Sequence, residues 1–370
     1  MDLRGIFMEN KVYDYWLYSL PAIGRKTFMK LQENGCDSFF LYKCKQSELP
    51  DFLSKKQKDF IIKGKTRTKE SLEKSFQKME EQGIFMTVFG DADYPKKLSV
   101  IQDAPAVLFY KGKRPEYLKK NIAIIGARNC SEYGKYVAKE FATCFARNGI
   151  GVISGMANGI DGYAQQAALL AGGFSVGVLG NGVNVCYPTG NYGLYEELCQ
   201  NGCVISEYLP DESPMAGYFP PRNRIISGLA DALVVVEAKV KSGTLITVEM
   251  ALEQGKEVFV VPGRITDELS KGCNKLLWEG AIPAMEPEKV LECLYGTQND
   301  ERITEGENVQ KKQANAIQEH ILSFLDVTPV HINVLQEKTG LAMEVLYREL
   351  LELILENTVM QVGSNWYQIV

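Results

Sequence analysis

The chain has 370 residues, of which 45% are hydrophobic and 24% are charged, and its net charge is -5 at pH 7. This length is enough for two or three domains, and the composition is typical of globular proteins. No stretch of 18 or more apolar residues is present and no secretory signal is visible, so we expect a cytoplasmic protein without a membrane span.

Cysteine and histidine usage argues against a metal site. The nine cysteines are scattered without a Cys-x-x-Cys pair, and we interpret them as reduced thiols. The two histidines, His320 and His331, both lie near the carboxyl end of the sequence. We therefore expect no metal and no cofactor.

Residues 1–80 are predicted to form a small helical domain. Leu20-Pro21-Ala22-Ile23-Gly24, followed by apolar residues at helical spacing, resembles the start of a helix-hairpin-helix or SAM-like domain. Seven basic residues against one acidic residue lie between Lys55 and Lys69. An accessory contact to DNA or a partner and a purely structural packing module both remain open for this domain.

Residues 81–296 alternate short apolar segments with helical segments. After a β lead-in that begins at Ile84, apolar runs recur at 121–125, 149–153, 174–179 and 257–261. Such alternation is typical of a mostly parallel sheet with helices on both faces. We predict an α/β fold with a mostly parallel sheet.

Glycine-rich and hydroxyl-rich loops follow several of the predicted strands. Ligands of parallel sheets sit beyond the carboxyl ends of the strands, and backbone N–H groups at helix starts bind anions. Several such loops together predict a ligand that carries phosphate groups. The candidate phosphate-binding residues in these loops are Gly126, Arg128, Ser154, Gly155, Asn158, Gly159, Asn181, Ser242, Gly243, Thr244 and Thr247.

A further candidate segment runs from Phe219 to Leu229 and contains Arg222, Asn223 and Arg224. We interpret it as a turn before an apolar run, in which an extended backbone would point both arginines to the same side. One arginine would then grip phosphate and the other would brace the loop. Phe219 and, elsewhere, Tyr187 would either stack on bases or pack in the core.

The carboxyl-terminal part of the sequence predicts a linker and a winged helix. Residues 297–313 are polar without an apolar period and are interpreted as the linker. Residues 314–370 contain three amphipathic helical segments, the second of which is predicted at Val330–Glu337, and two strand segments around Gly363. This region carries seven acidic side chains against Lys338 and Arg348, and its third helix is acidic. Because phosphates would repel that helix, we favour a contact to protein or packing against another domain over a contact to DNA.

The core contains a series of motifs in a fixed order. They are Ile124-Ile125-Gly126-Ala127-Arg128, Tyr133-Gly134, Ser154-Gly155-Met156-Ala157-Asn158-Gly159-Ile160-Asp161, Val178-Leu179-Gly180-Asn181-Gly182, Tyr187-Pro188, Ser206-Glu207, Phe219-Pro220-Pro221-Arg222-Asn223-Arg224-Ile225-Ile226, Val236-Glu237-Ala238, Ser242-Gly243-Thr244-Leu245-Ile246-Thr247 and Val261-Pro262-Gly263. Over residues of about 83 to 290, these motifs resemble those of the DNA-processing protein A family (DprA, also called Smf).

The resemblance implies an extended Rossmann-like core that binds single-stranded DNA rather than a dinucleotide. It further implies a role in natural transformation, in which the family coats incoming single strands and loads the RecA recombinase, and a homodimer made through the core. We interpret the protein as a binder of single-stranded DNA that is not an enzyme.

Two positions qualify the resemblance. Asp161 would repel phosphate, so we expect it to cap a helix or to orient an arginine. Gln165 stands where the family usually has histidine. If that histidine took part in catalysis, this protein lacks the catalytic group, which weakens an enzymatic interpretation. If it only formed hydrogen bonds, Gln165 can take its place.

The alternative function is a nucleotide phosphoribohydrolase, because Ser242-Gly243-Thr244 with Thr247 and Glu249 is similar to the loop of enzymes that cleave an N-glycosidic bond.

Overall fold

The computed structural model of the protein describes residues 3–114, 119–296, 317–318, 320–326, 328–355, 358–363 and 365–369, of which the first seven and Leu355 are described by their backbone alone. The chain divides into two units, Met1–Gly296 and Thr297–Val370. In the described part of the chain, no helix is both long and apolar enough to cross a membrane.

Five helices form an amino-terminal layer. Polar caps set several of their starts: the Asp37 carboxylate accepts a hydrogen bond from the Phe40 N–H, and Ser54 and Gln57 form a capping box. The buried face of the layer includes Trp16 and Phe28 and packs against the first two strands of the sheet. The helices are α1 (Leu3–Tyr18), α2 (Arg25–Glu33), α3 (Ser38–Lys43), α4 (Lys55–Gly64) and α5 (Lys69–Glu81).

The core of the first unit is a nine-stranded sheet in the order β1-β2-β6-β5-β4-β3-β7-β8-β9. The β1–β2 and β2–β6 pairs are antiparallel and the other pairs are parallel. The predicted mostly parallel, Rossmann-like sheet is thereby confirmed. The strands are β1 (Ile84–Val88), β2 (Val107–Gly112), β3 (Asn121–Ile125), β4 (Gly151–Ser154), β5 (Ser175–Val178), β6 (Cys203–Ser206), β7 (Ala232–Val235), β8 (Glu257–Val260) and β9 (Ile282–Pro283).

Helices cover both faces of this sheet because its central strands are apolar on both sides. In β3, Ile122 and Ile124 point into one hydrophobic cluster, and Ala123 and Ile125 point into another. The helices of the core are α6 (Lys96–Ser99), α7 (Glu132–Arg147), α8 (Ile160–Leu170), α9 (Tyr192–Asn201), α10 (Phe219–Leu229), α11 (Gly243–Glu253), α12 (Lys271–Trp278) and α13 (Pro287–Tyr295).

The segment from Phe219 to Leu229 corrects one prediction, because it is helix α10 and not an extended turn. Its prolines occupy the first turn of the helix, where a missing N–H costs nothing. Arg222 and Arg224 are two positions apart on a helix, so they point in different directions and cannot share one side.

The second unit contains the elements of a winged helix. Helices span Ile332–Thr339 and Met343–Leu355, and a three-stranded antiparallel sheet joins Val330–His331, Val359–Gly363 and Trp366–Ile369. The second predicted helix begins at Ile332 rather than Val330, because Val330 and His331 pair with the last strand. The linker of residues 297–313 lies outside the described residues.

Candidate nucleic-acid interface

A cleft of about 660 Å³ opens at the carboxyl ends of β3 and β7. The loop after β3, the start of α10 and the loop that leads into α11 form most of its lining, and Ala157, Asp161, Glu268 and Leu269 complete it. It brings together many of the predicted residues. Those in its lining are Gly126, Arg128, Asp161, Phe219, Arg222, Asn223, Ser242, Gly243, Thr244 and Thr247.

Arg128 stands at the border between this cleft and a second one of about 590 Å³, which Asn158 and Gly159 also line. Its side chain is exposed, and it makes no ion pair with any residue that the structure describes. The loop that carries it packs tightly on Gly159, since a Cβ at that position would lie 2.2 Å from the Ala127 carbonyl oxygen. Glycine is therefore required for the close approach of the two loops.

A carboxylate holds the far end of the Arg128 loop in place. Glu237, just after β7, accepts hydrogen bonds from the N–H of Ser131, at 2.9 Å, and from its hydroxyl, at 2.5 Å. Ser131 in turn caps α7 by accepting a hydrogen bond from the Gly134 N–H at 3.0 Å. The contacts fix the start of α7 against β7 and so limit the positions that Arg128 can reach.

Arg222 is buried and serves the framework of the cleft. Its Nη1 donates to the Gly155 carbonyl oxygen at 3.0 Å and also to the Val178 carbonyl oxygen. Burial lowers the pKa of the Arg222 guanidinium to about 10, while Asp161 opposes this shift. Asp161 accepts from the Gly155 N–H at 3.1 Å, and burial raises the pKa of its carboxyl while Arg222 lowers it.

The start of α11 presents a hydroxyl without a partner. The Ser242 Oγ is buried in the cleft wall and has no hydrogen-bond partner among the described residues. Thr244 Oγ1, by contrast, donates to the Gly126 carbonyl oxygen at 3.2 Å and ties the α11 loop to the Arg128 loop. A buried polar atom that lacks a partner costs free energy, so an acceptor in the cleft would relieve the Ser242 hydroxyl.

Other predicted residues lie outside the cleft lining and are engaged by the fold. The Ser154 hydroxyl donates to the Ile124 carbonyl oxygen at 2.6 Å, and Asn181 Nδ2 donates to the Val185 carbonyl oxygen at 2.6 Å. The Gly155 N–H donates to the Asp161 carboxylate, and the Gly155 carbonyl oxygen accepts from Arg222. These three positions shape the strand ends.

Arg224 is buried in an ion pair with Glu207 at 2.7 Å. Its Nε also donates to the Asp103 carbonyl oxygen at 2.7 Å. The side chain therefore joins α10 to the end of β6 and to the segment before β2. It is directed away from the cleft that Arg222 and Asn223 line.

Gln165 is fully buried and bridges two strand ends. Its Oε1 accepts from the Met156 N–H at 3.0 Å, and its Nε2 donates to the Val176 carbonyl oxygen at 2.9 Å. Tyr187 and Phe219 face each other with ring centroids 5.4 Å apart, and Tyr187 is 43% exposed. Only Phe219 of this pair lines the cleft.

The sequence interpretation missed Lys239 and Asn129, which also line the cleft. Lys239 is exposed and follows β7, directly before the loop into α11. A basic residue between a buried strand and a hydroxyl-rich helix start is the signal that would have found it. Glu268 in the same lining partly offsets this charge, although it is paired with Lys271.

Comparison with known proteins decides the family. The family model of DNA recombination-mediator protein A matches residues 85–295, which is more than half of the chain. The chain belongs to this family. The model of the DprA winged helix domain matches residues 307–365.

Individual relatives agree with this family assignment. DNA processing protein DprA of Streptococcus pneumoniae is 44% identical over 221 residues, which cover 60% of this chain and 76% of that protein. Protein Smf of Escherichia coli is 40% identical over 227 residues, and the match spans 61% of each protein.

Solved structures of two family members have the same fold. The crystal structure of DprA from Streptococcus pneumoniae aligns with a TM-score of 0.66 and 33% identity, covering 76% of this chain and 96% of that one. The structure of DNA processing protein A from Helicobacter pylori aligns with a TM-score of 0.52 and 30% identity, covering 56% and 95%. That work describes a single-stranded DNA binding mode of the Helicobacter protein.

Proposed function

We propose that the protein binds single-stranded DNA in the cleft at the ends of β3 and β7 and acts as a recombination mediator. In natural transformation it would protect incoming strands and load the RecA recombinase onto them, as family membership implies. The observation that carries the proposal is the exposed Arg128 at the border of two clefts, which forms no ion pair with any described residue. The Ser242 hydroxyl in the wall of the first cleft likewise lacks a hydrogen-bond partner in the described part of the chain.

The cleft residues divide into phosphate contacts and supports. Arg128 and Lys239 supply the charge, and the Ser242 hydroxyl and the backbone N–H groups at the start of α11 supply further donors. Arg222, Asp161 and Gln165 hold the strand ends, so they act on DNA only by positioning other groups. Arg224 is left out of the phosphate-binding set, since Glu207 already pairs with it.

Recognition in this arrangement is expected to be insensitive to base identity. Phosphate contacts carry no sequence information, and an aromatic ring such as that of Phe219 in the cleft lining stacks on any base. The test is a fluorescence anisotropy titration with oligomers of thymine and of cytosine at several salt concentrations. We expect the logarithm of affinity to fall by about 0.7 per neutralised phosphate for each tenfold rise in salt, with similar affinity for both oligomers. A flat salt profile or a strong base preference would contradict the proposal.

The proposal describes binding without catalysis. Glu249, which the hydrolase alternative requires near the Ser242 loop, is exposed on α11 and is not among the described residues that line the cleft. Incubation with AMP separates the two functions. Release of adenine would favour the phosphoribohydrolase, and unchanged AMP together with salt-sensitive binding of oligo-dT would favour the mediator.

The finer assignments rest on family membership. A cytoplasmic location and a partnership with RecA follow from the proposed role in DNA uptake. A homodimer through the core is supported by two strongly exposed apolar side chains beyond β8, Ile265 at 84% and Trp278 at 93%. Sedimentation of Ile265→Glu and Trp278→Glu variants would test it, because a charge at the centre of an interface opposes association.

A further inference from the structure

The amino-terminal layer concentrates positive charge in an acidic protein. Residues 20–69 contain twelve lysines and arginines against five acidic residues, whereas the whole chain has a net charge of -5. The cleft does not account for this excess, because residues that line the cleft at the ends of β3 and β7 all lie beyond residue 120. Such an excess creates a local field that attracts anions.

Part of this charge forms one continuous surface on α2 and α4. Lys26 and Lys30 are exposed one turn apart on α2, and the Lys30 ammonium lies 4.5 Å from the centroid of the Phe52 ring. Lys55 and Lys56 are exposed in the first turn of α4. We call Lys26, Lys30, Phe52, Lys55 and Lys56 the α2–α4 basic surface.

A hydrogen bond holds the two halves of this surface together. Gln57 Nε2 donates to Thr27 Oγ1 at 2.9 Å, which joins the start of α4 to the start of α2. Across the ranges that the structure describes, no acidic side chain forms an ion pair with any of the four lysines. Their charge is therefore available to an external ligand.

The start of α2 lies near the carboxyl end of β6, at the same end of the parallel strands as the cleft. Arg25, at the start of α2, pairs with Asp103 at 2.7 Å, and the Asp103 carbonyl oxygen accepts from Arg224. Arg224 belongs to α10, whose first turn lines the cleft. In addition, the Tyr18 hydroxyl at the end of α1 donates to the Glu207 carbonyl oxygen, just beyond β6, at 3.0 Å.

We propose that the α2–α4 basic surface is a second contact for single-stranded DNA, on which a strand bound in the cleft continues. This inference rests on the proposed function. The lysines would contact phosphates, and the Phe52 ring, 36% exposed, would contact an unpaired base. A duplex keeps its bases stacked inside, so it offers nothing to that ring, and the occupant we assign is a single strand.

The length of the oligonucleotide distinguishes binding in the cleft from binding on the α2–α4 basic surface. A short oligo-dT of about 6 nucleotides fits within one binding site of the usual size, whereas one of about 30 nucleotides extends beyond it. We compare the full-length protein with the double variant Lys30→Ala, Lys56→Ala. The matched control is Lys74→Ala, Lys78→Ala, which removes the same charge from exposed positions on α5 of the same layer.

For the long strand, we expect the salt slope of the Lys30, Lys56 variant to fall by about 1.4, since each lost phosphate contact contributes about 0.7. Its binding of the short strand and the binding of both strands by the control should remain as in the unmodified protein. Circular dichroism would show that both variants are folded.

Three results would overturn the inference. They are an unchanged slope on the long strand, an equal loss on the short strand, and a loss that is as large for a duplex as for the long single strand. Arg128→Ala keeps the two proposals apart. If that variant binds the short strand normally while the lysine variant loses the long one, the cleft assignment fails and the second surface stands.

Discussion

Replacing Arg128 with alanine tests the cleft most directly. Because the side chain is exposed and has no ion pair among the described residues, its loss removes a ligand contact without breaking one within the fold. A charge-assisted hydrogen bond to phosphate contributes about 1.5–3 kcal/mol. The lower figure corresponds to roughly a tenfold loss of affinity and the upper figure to roughly a 150-fold loss.

The assay is an anisotropy titration of a short labelled oligo-dT at moderate salt. The matched control is Arg147→Ala, which removes the same charge from an exposed position in the last turn of α7. An Arg128→Lys variant should fall between the two, since lysine keeps the charge but loses the bidentate geometry. If Arg128→Ala binds as tightly as Arg147→Ala, phosphates are not held at this cleft and the reasoning fails.

Three further predictions concern other parts of the chain. Arg224→Ala should lower the free energy of unfolding by about 3–5 kcal/mol, because Glu207 loses its buried partner; a melting temperature equal to that of the unmodified protein would contradict this. Burial raises the pKa of Asp14 from 3.8 to about 6, so the native state holds its proton more tightly. Stability should therefore fall by about 2 kcal/mol as pH rises from 4 to 6, and the Asp14→Asn variant should lack this loss in urea denaturation. Deleting residues 314–370 removes a net charge of -5, so oligo-dT affinity should be unchanged or higher; a large loss at equal oligomeric state would mean that this region binds DNA.

The sheet and the position of the cleft could be predicted because they depend on local sequence. Each parallel strand is a short apolar run. The loops with Gly126 and Gly155 directly follow β3 and β4, and Gly243 opens helix α11. Parallel strands present their carboxyl ends at one edge, so loops far apart in sequence are brought together by topology alone. A carboxylate repels phosphate, which predicts that Asp161 caps a helix or orients an arginine, and in the structure Asp161 interacts with Arg222.

The segment from Phe219 to Leu229 could not be assigned in the same way. Two prolines and two arginines suggest a turn, but prolines also suit the first turn of a helix. The direction in which each arginine side chain points depends on its partner in the folded protein. Glu207 lies 17 residues before Arg224, and Gly155 lies 67 residues before Arg222, so both contacts exist only after the sheet has formed.

Burial explains why the arginines of the cleft have different tasks. A guanidinium that is buried has already exchanged its water for carbonyl and carboxylate groups, as Arg222 has with Gly155, Val178 and Asp161. Binding phosphate would require it to give up these partners, so little free energy would be gained. An exposed guanidinium such as that of Arg128 exchanges only water and counterions, and their release favours binding. A protein with an acidic total charge can thus bind a polyanion through a few exposed cations, while buried ones hold the strand ends of the cleft in place.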